Sequence, residues 1–406
     1  MNRKIILTGI SLVVLLLAFY HFYPVKAFQK VNQPSSSASP NKIVDTPHHS
    51  QSKIQVVFAL DATGSMSGLI DAAKEKIWSI AGSLAQAEPT PSVEIGLLFY
   101  RDRGDAFVTN EVPLSGDMDA IYERLMQISA EGGGDSPESV NQALYESITK
   151  FAWDSSLNTY KTVFLVGDCP PHMDYGNDIK YPVSCTQAKQ RDIVLNTILM
   201  GNNHVAKKIW REIASCSRGS YTEVNMKAND IRVNTPYDSV ISTLSDQLDD
   251  TRIYYGDEKE KLISSEKMSK TKYITGSVKA NVKAQRAEYN STKVGKKSYY
   301  GNKELLEGYR EKKVVVEDIK KDELPEEMKN MTSDQKTKFV EEKLAKRDSL
   351  NKELQKVTKL RQEYIEKDFK TRKTEDVEGS FTNQIYKSIQ KQTEKKNIHL
   401  KEKPKY

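Results

Sequence analysis

Asp61, Thr63 and Ser65 are the residues whose types and spacing point first to chemistry. A carboxylate and two hydroxyls at i, i+2 and i+4 place three oxygens within one short turn. Hard cations are held by such oxygens, and Mg²⁺ in particular keeps some positions for water or a partner. A strand-to-helix turn with an Asp cap would use the same residue types. The context favours the metal. The apolar run Ile54–Leu60 precedes the turn, Gly64 separates the hydroxyls, and a helical pattern follows at once. Two further carboxylates stand at comparable places. Asp135 lies in Glu131-Gly-Gly-Gly-Asp135-Ser-Pro-Glu138, where three glycines open backbone conformations closed to other residues. Asp168 follows the run Lys161–Gly167. The Gly-rich stretch lacks the Lys-[Ser/Thr] that would make it a phosphate-binding loop.

Positioning these residues requires an α/β framework. Strands are expected at 54–60, 93–100, 106–112, 162–166, 193–200 and 221–224, and helices at 68–87, 118–130, 137–153, 185–191, 205–215 and 237–248. Apolar strands alternating with helical segments predict a doubly wound, mostly parallel sheet covered on both faces. The stretch 106–112 follows its predecessor after a short turn, so it should be an antiparallel edge strand. Such sheets bind ligands beyond the carboxyl ends of their strands, where Asp61 and Asp168 both fall.

Asp61-Ala-Thr63-Gly-Ser65-Met-Ser, Gly-Gly-Gly-Asp135-Ser-Pro-Glu and Gly167-Asp168 together resemble the three loops of a von Willebrand factor type A domain, where they form a metal-ion-dependent adhesion site. The resemblance implies that Asp61, Thr63 and Ser65 coordinate or orient a divalent cation, magnesium ahead of manganese or calcium. Thr63 stands where the family usually has Ser, and both supply a hydroxyl. Asp168 fills the third-loop position, typically acting through water. The second loop of the better-known adhesion proteins supplies a Thr, which this chain lacks. Asp135 is the nearest substitute, as in a bacterial branch with a similar Gly-rich loop, with Glu138 or Ser136 as alternatives. The resemblance implies a binding module and not an enzyme: an incompletely neutralised cation attracts a carboxylate presented by a partner protein. A metal-dependent hydrolase would need a base beside the ion, for which His172 and Asp174 are the candidates. A structural envelope protein whose metal only stabilises the fold is the remaining alternative.

The chain has 406 residues, 38% apolar and 29% charged. Residues 53–250 carry 17 basic and 27 acidic side chains, and residues 251–406 carry 39 and 27. That reversal sets a domain boundary near 250. Residues 1–27 begin with a basic tetrapeptide and continue into an apolar stretch to Tyr23, close to the ~20 residues that span a bilayer. They are expected to be a transmembrane anchor or a signal peptide cleaved after Ala27. The bulk of the chain is thereby placed in the cell envelope, membrane-anchored, or periplasmic or secreted if cleavage occurs. Residues 28–52 read as a flexible Ser/Pro-rich tether.

Three smaller features complete the folded half. Arg103-Gly104-Asp105 is an RGD tripeptide between two strands, expected to be a turn and not a receptor ligand. Export permits one disulfide among Cys169, Cys185 and Cys216, and Cys185 with Cys216 is the expected pair, both on peripheral helices. No C-x₂-C pairing suggests zinc. The basic, largely helical region 251–406 contains a capping box at Thr332–Gln335 followed by a long helix to about Lys370. Arg347 and Arg361 interrupt the seam that would make this helix a strong coiled coil, so packing on another helix or on the preceding domain is expected. Bases alternate with acids and aromatic interleaving is thin, which argues against nucleic acid. The segments 324–355 and 379–386 resemble the tails of some bacterial exported type A domain proteins.

Overall fold

A computed structural model describes residues 52–134, 136–224 and 231–405. The anchor or signal expected over 1–27, and the tether apart from Ser52, lie outside the described residues. Among the described residues no helix is long and apolar enough to cross a membrane.

Six strands form one sheet: β1 (Lys53–Asp61), β2 (Ser92–Tyr100), β3 (Thr109–Ser115), β4 (Thr159–Gly167), β5 (Ile193–Met200) and β6 (Tyr221–Val224). Their order is β3-β2-β1-β4-β5-β6, with β3 alone antiparallel. The doubly wound architecture expected from the alternation of apolar runs and helices is therefore present. β1 is central and pairs in parallel with β2 and β4, which aligns the ends of all three at one edge. Side chains alternate across a strand, so β1 feeds two cores. Ile54, Val56, Phe58 and Leu60 pack on one face with α1 (Ser67–Leu84) and α2 (Met118–Met126). Val57 and Ala59 face α3 (Val140–Thr149), α4 (Tyr181–Gln190) and α5 (His204–Cys216).

The elements depart from expectation where loops at the binding edge take residues for themselves. β3 starts at Thr109 because Arg101 N donates to Val108 O and closes a loop over the intervening residues. α3 starts at Val140 because Glu138 N donates to Pro170 O and His172 N donates to Glu138 O, holding residue 138 extended. α4 starts four residues earlier than expected, with Pro182 in its first turn, where its missing N–H costs nothing.

The charge reversal at residue 250 is not a packing boundary: the described residues on both sides of it belong to one compact unit. Beyond the sheet come α6 (Asp238–Asp249), α7 (Glu258–Ser277), α8 (Ala280–Asn290), α9 (Lys293–Tyr300), α10 (Leu305–Arg310), α11 (Ser333–Thr371), α12 (Thr374–Glu378) and α13 (Phe381–Thr393). Phe381, Ile385 and Ile389 of α13 join the same core as β1 and α1. Gln392 reaches into the sheet, accepting from Tyr160 Oη at 2.5 Å and donating to Asn196 Oδ1 at 2.8 Å. The last residues return to α1, where Lys405 N donates to Ser83 Oγ at 2.8 Å.

The long helix α11 carries the capping box at Thr332 and Gln335. It packs as a single helix: Leu354 and Val357 lie against Ile241, Leu244 and Leu248 of α6 and Ala284 and Ala287 of α8. Coiled-coil pairing is not what organises it. Arg347 and Arg361 are fully buried and bind carboxylates from elsewhere in the chain. Cys185 and Cys216 form the expected disulfide between α4 and α5, leaving Cys169 free.

Candidate metal centre

The first loop is an oxygen ladder that climbs from the core to solvent. Asp61 ends β1 fully buried, Thr63 is buried and Ser65 is exposed. Thr63 donates to Asp61 Oδ1 twice, from its backbone N at 2.9 Å and from Oγ1 at 2.6 Å. Thr63 Oγ1 lies 3.3 Å from Ser65 Oγ. These bonds consume one oxygen of Asp61 and leave Oδ2 buried without a hydrogen-bond partner. Asp168, one residue beyond β4, likewise has Oδ1 buried and unpartnered. Trp210 Nε1 of α5 donates to Cys169 O at 3.1 Å and braces this third loop.

The second loop closes over the first through Gly64 N to Gly132 O and Glu131 N to Ala62 O, both 3.0 Å. Gly133 has φ of 75°, the left-handed region. A Cβ there would stand 2.9 Å from Thr63 Cβ and 3.4 Å from Glu138 Oε1, so any larger residue would push the loop off the first. Asp135 lies outside the described residues. Of its two alternatives, Ser136 is exposed, whereas Glu138 is buried with Oε2 unpartnered.

Burial dominates the electrostatics of the site. It pushes the Asp61 carboxyl up to about 7, with the negative charges of Asp168 and Asp105 adding to the rise against the two Thr63 bonds. Glu138 is pushed up to about 8 by burial and then by Asp61, Asp102, Asp105 and Asp168. A buried polar atom with no partner is costly and demands a reason. A hard cation beside Asp61, Thr63, Ser65 and Asp168 would supply one, so the donor set fits a divalent ion. Thr63 Oγ1 and Ser65 Oγ stand beside the Asp61 carboxylate and add hydroxyl oxygens to the set.

His172 lies between two carboxylates. Nδ1 lies 2.8 Å from Asp174 Oδ1, and Nε2 faces Asp102 Oδ2 at 3.3 Å. Its ring stacks on Tyr175 at 3.9 Å. Burial pushes the Cys169 thiol up to about 12, so it is no thiolate nucleophile.

Residues of the β2–β3 loop also reach the site, and sequence reasoning did not place them there. Arg101 donates from Nε to Ala62 O at 3.0 Å and from an Nη to Ser129 O at 2.8 Å. Asp105 accepts from Gly133 N, and Arg103 pairs with Asp178 while stacking on Tyr175. The RGD tripeptide is thus tied into the fold. Its signal was its location just past the carboxyl end of a central strand, the same rule that singled out Asp61.

Residues 55–229 match the family profile described as von Willebrand factor A domain. A search of curated protein sequences returned no match. Among solved structures, proximal thread matrix protein 1 from the mussel byssus is similar at 14% identity and a TM-score of 0.35, over 44% of this chain and 43% of that one. The same mussel protein with a zinc-occupied MIDAS motif gives 14% identity and 0.34, over 43% and 42%. The pilus adhesin SpaC from Lactobacillus rhamnosus GG gives 15% identity and 0.33, over 43% and 28%. The alignments thus span less than half the length of each of these proteins.

Proposed function

With residues 55–229 forming a von Willebrand factor A domain, we propose that this chain binds a protein partner through a divalent cation held by Asp61, Thr63, Ser65 and Asp168. The observation that carries this reading is the pair of buried, unpartnered oxygens, Asp61 Oδ2 and Asp168 Oδ1, at adjacent strand ends. Asp135 belongs to the proposed set as the second-loop donor, with Glu138 as the buried alternative. When bound, the ion supplies an electrophilic position for an anionic oxygen. The exposed hydroxyl of Ser65 marks the open side of the ladder, where a carboxylate from a partner would enter. Magnesium is the proposed ion, ahead of manganese and calcium, since the donors are all oxygen.

The proposed activity is recognition and not catalysis: the unpartnered carboxylate oxygens of Asp61 and Asp168 at the strand ends are suited to hold an ion. We place the protein in the cell envelope of a bacterium, tethered by the apolar stretch within residues 1–27, or released if that stretch is cleaved. The Cys185–Cys216 disulfide supports an oxidising compartment.

The test is crosslinking and capture from intact cells, comparing wild type with Asp61→Ala, each with and without EDTA. The expected result is a protein partner recovered only by wild type and only with divalent cation present. A partner recovered equally from wild type in EDTA and from Asp61→Ala would overturn the reading.

A further inference from the structure

The three loops of the candidate site do not hold one another directly at every join; a fourth segment, Arg101–Asp105, touches all of them. Arg101 grips the first loop at Ala62 O and the approach to the second at Ser129 O. Asp105 accepts from Gly133 N at 3.2 and 3.3 Å, in the middle of the second loop. The fit there is tight. Gly132 has φ of 76°, and a Cβ on it would stand 2.3 Å from Asp105 Oδ1, so the loop is wrapped around this carboxylate. Asp105 Oδ2 also accepts from Asp102 N at 3.2 Å, which links the two acids. Asp102 then spans the far side. Its Oδ1 accepts from Ser139 Oγ at 2.7 Å, just after the second loop, and its Oδ2 accepts from Tyr175 Oη at 2.7 Å, in the segment that follows Asp168.

We infer that Asp105, backed by Asp102, is a positioning residue of the cation site, holding the second loop against the first so that the donors converge. This rests on the cation reading proposed above. The RGD tripeptide serves this internal purpose: Asp105 is bound to the Gly-rich loop, Arg103 is paired with Asp178, and neither is presented as a free ligand. A residue of this kind does not touch the ion. It lowers the cost of assembling the site, and loss of such supporting bonds typically weakens metal affinity about tenfold to a hundredfold.

The experiment measures Mn²⁺ affinity by titration calorimetry on the full chain, with wild type, Asp61→Ala, Asp105→Ala and Asp105→Asn side by side. Metal-free melting temperature and hydrogen exchange of the 132–134 amides are followed in parallel. Asp61→Ala should lose binding. Asp105→Ala should bind about tenfold or more weakly, melt within a few degrees of wild type without metal, and exchange faster at 132–134. Asp105→Asn keeps one acceptor oxygen and should recover most of the affinity, and it decides the matter if Asp105→Ala does not fold. Wild-type affinity in Asp105→Ala alongside lost binding in Asp61→Ala would overturn the positioning role and leave the site standing. A loss in Asp105→Ala that tracks a large drop in metal-free melting temperature and is not recovered in Asp105→Asn would also overturn it. A wild-type chain that binds no Mn²⁺ would remove the site reading and the inference together.

Discussion

Two regions of the molecule bury carboxylates, and they treat them in opposite ways. At the strand ends Asp61 and Glu138 are buried among other acids, neither is ion-paired to a Lys or Arg among the described residues, and their carboxyls rise to about 7 and about 8. Below, where the carboxyl-terminal helices meet the sheet domain, each buried acid has an arginine. Arg286 binds Asp119 through two bonds of 2.8 Å and Asp249 at 3.0 Å; although burial opposes it, the guanidinium holds Asp119 down at about 2. Arg347 joins Glu304, Glu307 and Thr251, and Arg361 joins Asp238 and Glu288. The same side-chain chemistry is complete in one place and incomplete in the other. A buried charge must be compensated. Where the chain supplies the counter-charge itself, the acid serves the fold. Where it does not, the acid waits for a charge from outside.

The most severe way to test that contrast is to make the complete region incomplete. Arg347→Met leaves Glu304 buried without its partner and should cost about 3–5 kcal/mol of stability, read as a large shift in the urea or thermal midpoint of the full chain. Adding Glu304→Gln should recover a substantial part, since the uncompensated charge is then gone. No cation should rescue the single variant. The mirror experiment removes an acid from the incomplete region. Asp61→Asn takes away a charge that the metal-free fold pays to bury, so at pH 8 the metal-free protein should gain about 1–3 kcal/mol while losing cation binding altogether. Stabilisation is the discriminating sign. If Asp61→Asn destabilised the metal-free chain as Arg347→Met does, the two regions would not differ in kind.

Much of this was legible in the sequence, and what was hidden shares one physical cause. Strands such as β1 and β5 announce themselves because a buried strand is mostly apolar on both faces, and the Thr332–Gln335 capping box because its partners are three residues apart. The Asp61–Thr63–Ser65 ladder is legible for the same reason: its geometry is local. Hidden were the pairings that cross long stretches of chain. Arg347 and Arg361 look like breaks in a helical seam until Glu304 and Asp238 come to meet them. Asp105 looks like part of a turn until Gly133 N reaches it. The role of 381–404 was hidden too, since Phe381, Ile385 and Ile389 show an apolar helical stripe without showing that it completes the core of the sheet domain.

The two regions should also answer pH in opposite directions. Asp61 and Glu138 ionise near 4 when unfolded but only at about 7 and about 8 when folded, so between those values the folded state holds the extra protons. Metal-free stability should therefore fall as pH rises from 5 to 8, by up to about 1.4 kcal/mol per unit for each group, and saturating Mg²⁺ should flatten the slope. Asp119 behaves in reverse: its folded value lies below its unfolded one, so its contribution is intact above pH 4 and is lost as pH falls toward 2. Denaturant titrations across pH 2–8, with and without Mg²⁺, read both limbs. A metal-free stability that rises between pH 5 and 8 would break the contrast.

The smallest effect on stability falls on Ser65, and its smallness is the point. Ser65 is an exposed residue, and its hydroxyl lies 3.3 Å from Thr63 Oγ1. Ser65→Ala should change metal-free stability by less than about 0.5 kcal/mol, as surface substitutions away from special features do. Cation affinity should nevertheless fall about tenfold, because the Ser65 hydroxyl belongs to the proposed donor set. Thermal melts of Ser65→Ala with and without Mg²⁺ separate the two quantities: the metal-free melts should overlay wild type, and the Mg²⁺-induced rise should shrink. An unchanged rise would mean that the ladder ends at Thr63, and the open side of the site would have to be sought nearer Glu138.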